Sequence, residues 1–203
     1  MSTSLRVRTA RAWWAIFENL IYLAFAIAVI ASIGALGMAA GIFHGPASMQ
    51  IPQLVEWPFT APRQVGPLRI GLDHSAHVLL DRAERSQVLL LHMPSVVVTL
   101  LTAVITFLLW RVARTLRAGD PFVPRNARRI FTMAGCVAGY GLIAEPLRTW
   151  VAVITVDGTP AEGMIDTDWP FAPAPLGFAL LLAALGAIFR KGTRLREDVR
   201  GLV

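Results

Sequence analysis

Four stretches of the chain are apolar for long enough to cross a bilayer, and the polar residues collect between them. The runs cover about residues 13–43, 88–112, 130–155 and 173–190. A membrane helix needs about 20 mostly apolar residues. The first run is long enough to span with tilt, and the fourth is the shortest but free of charge as far as Arg190. Each must be helical, because an open strand in lipid leaves its backbone groups unpaired. Arg6, Arg8 and Arg11 precede the first run as in a signal peptide, but such peptides have apolar stretches of only about 7–15 residues. The first run therefore reads as an anchor that stays. The pattern predicts an all-α membrane protein, a four-transmembrane-helix bundle forming a single membrane domain over residues 1–203.

The intervening segments are outer loops at 44–87 and 156–172, an inner loop at 112–129 and a tail at 190–203. The first outer loop is rich in proline and glycine from Gly45 to Pro67 and carries Trp57 and Phe59. Beyond it, "PLRIGL" and "HVLL" read as short strands. Trp169, Pro170 and Phe171 before the fourth run fit an interfacial aromatic belt. A small extracytoplasmic β-containing cap is the alternative, with "VAVITV" at the end of the third run adding a strand.

In the inner loop, Arg111, Arg114 and Arg117 fall at helical spacing, so the second helix continues past its apolar run. Gly119 ends it, and Asp120, Pro121 and Pro124 form a turn. Asn126 is placed to cap the third helix. Arg128 and Arg129 then sit unfavourably on its first turn, and anionic headgroups account for them there. The tail bends near Gly192. Leu195, Val199 and Leu202 follow as a short amphipathic segment, on the membrane surface or against the inner loop.

Composition agrees with a bilayer protein: 55% of residues are hydrophobic and 16% charged, against about a quarter charged in soluble domains. The net charge of +6 does not point to nucleic acid, because the basic residues lie in short clusters beside apolar runs. The N-terminal tail has three, the inner loop six and the C-terminal tail five; the outer side has only Arg63, Arg69, Arg82 and Arg85. Fourteen against four places both termini in the cytoplasm. Cys136 is the only cysteine, so no intramolecular disulfide can form.

Two segments are similar to a known family. "GDPFVPRNARRI" in the inner loop and "IFRKGTRLREDVRGLV" at the end resemble the bacterial domain-of-unknown-function family 2975 (DUF2975). Gly119, Pro121, Phe122 and Asn126 match its inner-loop pattern; Gly192, Leu195, Asp198 and Val203 match its C-terminal one. The resemblance covers nearly the whole chain, although nothing carries over to residues 44–87. It implies four membrane helices and no established activity. It also implies a two-protein regulatory pair, because members are encoded beside a small helix-turn-helix regulator. The setting it implies is a bacterial inner membrane.

Among candidate sites, Glu145, Pro146 and Arg148 stand out in the third run. An ionisable residue at depth is costly unless paired or wetted, and residues three apart share a helix face. They form either a structural pair, with Arg148 snorkelling, or an outward-facing polar pocket. Glu18 and Asn19 lie just inside the first run, where Arg111 or Arg114 can pair with the acid. Asp73, His74 and His77 have helical spacing for a metal, with His44 and His92 at the nearby run ends. No second cluster completes a site, so no metal or cofactor is expected. Gly37–Gly41 and Gly135–Gly139 are spacings that allow close helix approach, and leave a homo-oligomer open. No nucleophile motif, P-loop or dinucleotide fingerprint appears, so an enzyme is not expected.

The reading that follows is a non-enzymatic sensory or regulatory membrane component with a cytoplasmic helix-turn-helix partner. Its docking surface comprises Arg117, Asp120, Phe122, Asn126, Arg194, Arg196, Glu197 and Asp198. The alternative is a small-molecule transporter or channel subunit lined by Glu145 and Arg148.

Overall fold

A computed structural model describes residues 2–42, 47–51, 63–70, 76–80, 84–165 and 173–200. The element order is α1 (Ser2–Ala39), β1 (Ala47–Ile51), β2 (Arg63–Val65), β3 (Leu68–Ile70), β4 (Ala76–Leu80), α2 (Arg85–Arg117), α3 (Pro124–Val156) and α4 (Pro173–Arg200). Each helix contains a stretch long and apolar enough to cross a membrane: Ile16–Ala39, Arg85–Arg117, Pro124–Val156 and Pro173–Asp198. Many large apolar side chains on these helices face outward, including Leu20, Ile27, Leu100, Ile143, Leu181 and Ile188. A soluble protein rarely exposes so much contiguous apolar surface. Lipid is the solvent these faces require.

Helix ends follow local chemistry. α1 closes with a Schellman motif: the Ile42 N–H donates to the Gly37 carbonyl and the Gly41 N–H to that of Met38. Gly41 supplies the left-handed residue, φ 69°. It therefore lies beyond the helix, and Gly37–Gly41 is not a helix-packing motif. α2 ends in the same way, with Gly119 at φ 80° and Asp120 donating its N–H to the Thr115 carbonyl.

Four other sequence expectations are corrected. Pro124 does not belong to the turn but opens α3, as suits a residue with fixed φ and no N–H. Asn126 accordingly lies within the first turn and caps nothing; its own N–H donates to the Val123 carbonyl. The "VAVITV" segment is the last stretch of α3, not a strand. α4 passes through Gly192 unbroken to Arg200, because packing overrides the weak helix propensity of glycine there.

The chain divides into two compact units. The first comprises residues 1–30, 100–138 and 173–203. Here Val112 of α2 and Ile130 and Met133 of α3 form a buried cluster, against which Leu182 and Phe189 of α4 pack. α1 meets α2 through Tyr22–Trp110 and Phe25–Phe107 ring contacts.

The second unit comprises residues 31–99 and 139–172. Its four strands pair antiparallel in the order β1-β4-β3-β2. One rung across the sheet reads Met49, Val78, Leu68, Val65, and the next reads Gln50, His77, Arg69, Gln64. Side chains alternate faces along a strand, so the first rung is apolar and the second polar. The apolar rung packs with Leu91 of α2, with Val151, Ala152 and Val156 of α3, and with Ala161 and Ile165 of the following loop. The expected β-containing element is therefore present, built from four strands where two were anticipated.

Candidate docking surface

The motif residues of the α2–α3 loop and of α4 meet in the first unit. Asn126 is fully buried. Its side-chain amide donates to the Thr115 hydroxyl at 2.6 Å and to the Pro121 carbonyl at 3.0 Å, while its oxygen accepts from Arg129 Nη1 at 2.9 Å. Both hydrogens and the oxygen of the amide are thus used, as a buried polar group requires. The residue ties the end of α2, the loop and α3 together.

Phe122 bridges the loop to α4. Its ring packs against Phe189, with centroids 5.6 Å apart. It also covers Gly192, where an added Cβ would come within 2.5 Å of Cδ1. A side chain there would force the ring to shift. The Thr193 hydroxyl donates to the Phe122 carbonyl at 3.3 Å, and the Arg196 guanidinium donates to the Asp120 carboxylate. Gly192, Thr193 and Arg196 thus hold three consecutive positions of contact along one side of α4.

Glu18 pairs with Arg117 at 2.5 Å, not with Arg111 or Arg114. The other two arginines lie instead over aromatic rings of their own helix, Arg111 over Phe107 and Arg114 over Trp110. Side chains on a helix lean toward its N-terminus, which carries both back onto residues one turn earlier.

Of the eight residues expected to dock a partner, the structure commits five internally. Arg117, Asp120, Phe122, Asn126 and Arg196 hold the loop and helices together. Arg194, Glu197 and Asp198 are exposed on α4, with Lys191 beside them. Positions 191, 194 and 198 follow at spacings of three and four, so they share one face. Sequence reasoning missed Thr115, Thr193 and Phe189, whose partners are distant in sequence and announced by no local pattern.

The other expected sites are less developed. The Glu145 side chain lies outside the described residues; Arg148 is half-buried and engaged. His44, Asp73, His74, Trp57, Phe59, Trp169, Pro170 and Phe171 also lie outside them, as does Leu202. His77 sits on the polar rung between Gln50 and Arg69. His92 is turned to its own helix, Nδ1 lying 2.9 Å from the Val88 carbonyl. Among the described residues, no cluster of three His, Cys, Asp or Glu could hold a metal. At Gly135 and Gly139 an added Cβ would meet nothing, so neither marks a close approach.

Fold and surface together define a multi-pass membrane protein with four membrane-crossing helices. The family described as "Protein of unknown function (DUF2975)" matches residues 55–200, and the chain belongs to it. No curated protein and no solved structure matches.

Proposed function

We propose that the protein is a non-enzymatic regulatory component of a bacterial inner membrane, with both termini in the cytoplasm. Its α4 face docks a soluble helix-turn-helix regulator. The observation that carries this reading is the state of α4 beyond its apolar stretch. The helix is held on one side by Gly192, Thr193 and Arg196, and presents Lys191, Arg194, Glu197 and Asp198 freely on another. A fixed helix with exposed charges of both signs presents a defined electrostatic pattern, which suits specific docking. The excess of arginine beside the loop and tail supports the cytoplasmic assignment.

The test is co-purification of the tagged full-length protein with the product of an adjacent helix-turn-helix reading frame. Reversing Arg194→Glu with Glu197→Lys and Asp198→Lys should abolish association while the protein still folds. Association that survived the triple reversal would sink the proposal.

A further inference from the structure

The charges of the first unit are strongly unbalanced. Within residues 1–30, 100–138 and 173–203 there are fourteen basic residues and four acids. Two of the acids are taken: Glu18 by Arg117 and Asp120 by Arg196. Glu197 and Asp198 lie on α4. On the seam between α2 and α3, Arg129 reaches across to the Arg111 backbone, and Arg125 precedes Arg129 on α3 by one helical turn. Among the described residues, no carboxylate pairs with any of the three.

Like charges held close repel one another, and an anion beside them relieves that repulsion. The site is built, not incidental. Arg129 is fixed by two hydrogen bonds, from Nη1 to the Arg111 carbonyl at 3.1 Å and to Asn126 Oδ1 at 2.9 Å. Arg111 and Arg125 are exposed beside it. The cluster lies in the last two turns of the Arg85–Arg117 stretch and the first two turns of Pro124–Val156, where arginines at the end of a crossing helix can reach lipid headgroups. An apolar stripe leads away from it along α2: Phe107, Val104 and Leu100 precede Arg111 at spacings of four, three and four. Val104 and Leu100 are more than two-fifths exposed, and Phe107 carries Arg111 over its ring at 5.5 Å.

We infer that Arg111, Arg125 and Arg129 bind the phosphodiester of an anionic phospholipid, whose acyl chain lies along Phe107, Val104 and Leu100. Arginine forks suit phosphate oxygens, and the adjoining apolar stripe favours a lipid over a free anion.

The full-length protein in micelles containing equal phosphatidylcholine and phosphatidylglycerol provides the test, with bound lipid counted by native mass spectrometry. Wild type should retain phosphatidylglycerol in preference. Arg111→Gln and Arg125→Gln, both at exposed side chains, should each weaken retention about fivefold. Arg85→Gln, at the opposite end of α2, should leave it unchanged. Equal retention of the two lipids by wild type would overturn the inference, as would unchanged retention in both cluster variants. Displacement of the lipid by millimolar inorganic phosphate would also overturn it, by showing a soluble anion site.

Discussion

Gly192 illustrates how one residue can carry opposite meanings in sequence and in space. Along the chain it looks like a helix breaker. In the fold it is the position where the Phe122 ring approaches α4 so closely that a side chain would force the ring to shift. Two effects compete in Gly192→Ala. Helix propensity favours alanine by about 1 kcal/mol, while forcing a methyl group into packed surroundings costs about 1–3 kcal/mol. At 2.5 Å from ring carbon the steric term wins, so the variant should be destabilised by about 1 kcal/mol net. Gly135→Ala is the matched control, because a Cβ there meets nothing within 4 Å. Thermal unfolding in detergent should show a lower midpoint for Gly192→Ala and no loss for Gly135→Ala. Equal midpoints would remove the close-approach account.

At the scale of elements, the helices were legible and the way they are tied together was not. Four long apolar runs force four helices whatever the details, and all four are present. β3 and β4 showed through the apolar positions of "PLRIGL" and "HVLL", whereas β1 (ASMQI) and β2 (RQV) are no shorter but carry polar residues in their interiors and offer no apolar run. "VAVITV" looked like a strand because β-branched residues favour one; packing of Val151, Ala152 and Val156 beneath the sheet keeps it helical. The expected docking set mixed free and engaged residues for a related reason: exposed charge and structural charge look alike until partners are known. Asp120–Arg196 is the element-scale case. Both side chains are more than a third exposed, so the pair contributes at most about 1 kcal/mol to global stability. Its effect should be local, as the last described tether of α4 to the loop. Hydrogen exchange of residues 194–198 should therefore rise up to about fivefold in Asp120→Asn. The exchanged pair Asp120→Arg with Arg196→Asp should restore protection. Unchanged exchange in the single variant would show that the pair holds nothing.

For the whole molecule, charge divides as the two units do. The first unit has fourteen basic residues and four acids; the second has five and nine. In the proposed topology, four crossings in series put the α2–α3 loop and both termini on one side of the membrane and the segment between α1 and α2 on the other. We propose from the arginine count that the side with the loop and termini is cytoplasmic, since Lys and Arg are retained there. Acidic residues contribute little to that choice, so the nine acids of the second unit accompany the orientation without setting it. The expected sidedness can be read from single cysteines. Cys136 is the only native one, and Cys136→Ser leaves a blank background. Gln50→Cys lies on the exposed rung of the sheet and Arg194→Cys on the exposed face of α4. A membrane-impermeant maleimide should label position 50 in intact cells and position 194 only after permeabilisation. The reverse result would invert the protein, place the arginine-rich surface outside and leave a cytoplasmic regulator nothing to dock on. Labelling of both positions in intact cells would break the four-crossing topology itself, and with it the link between apolar pattern and architecture on which the fold rests.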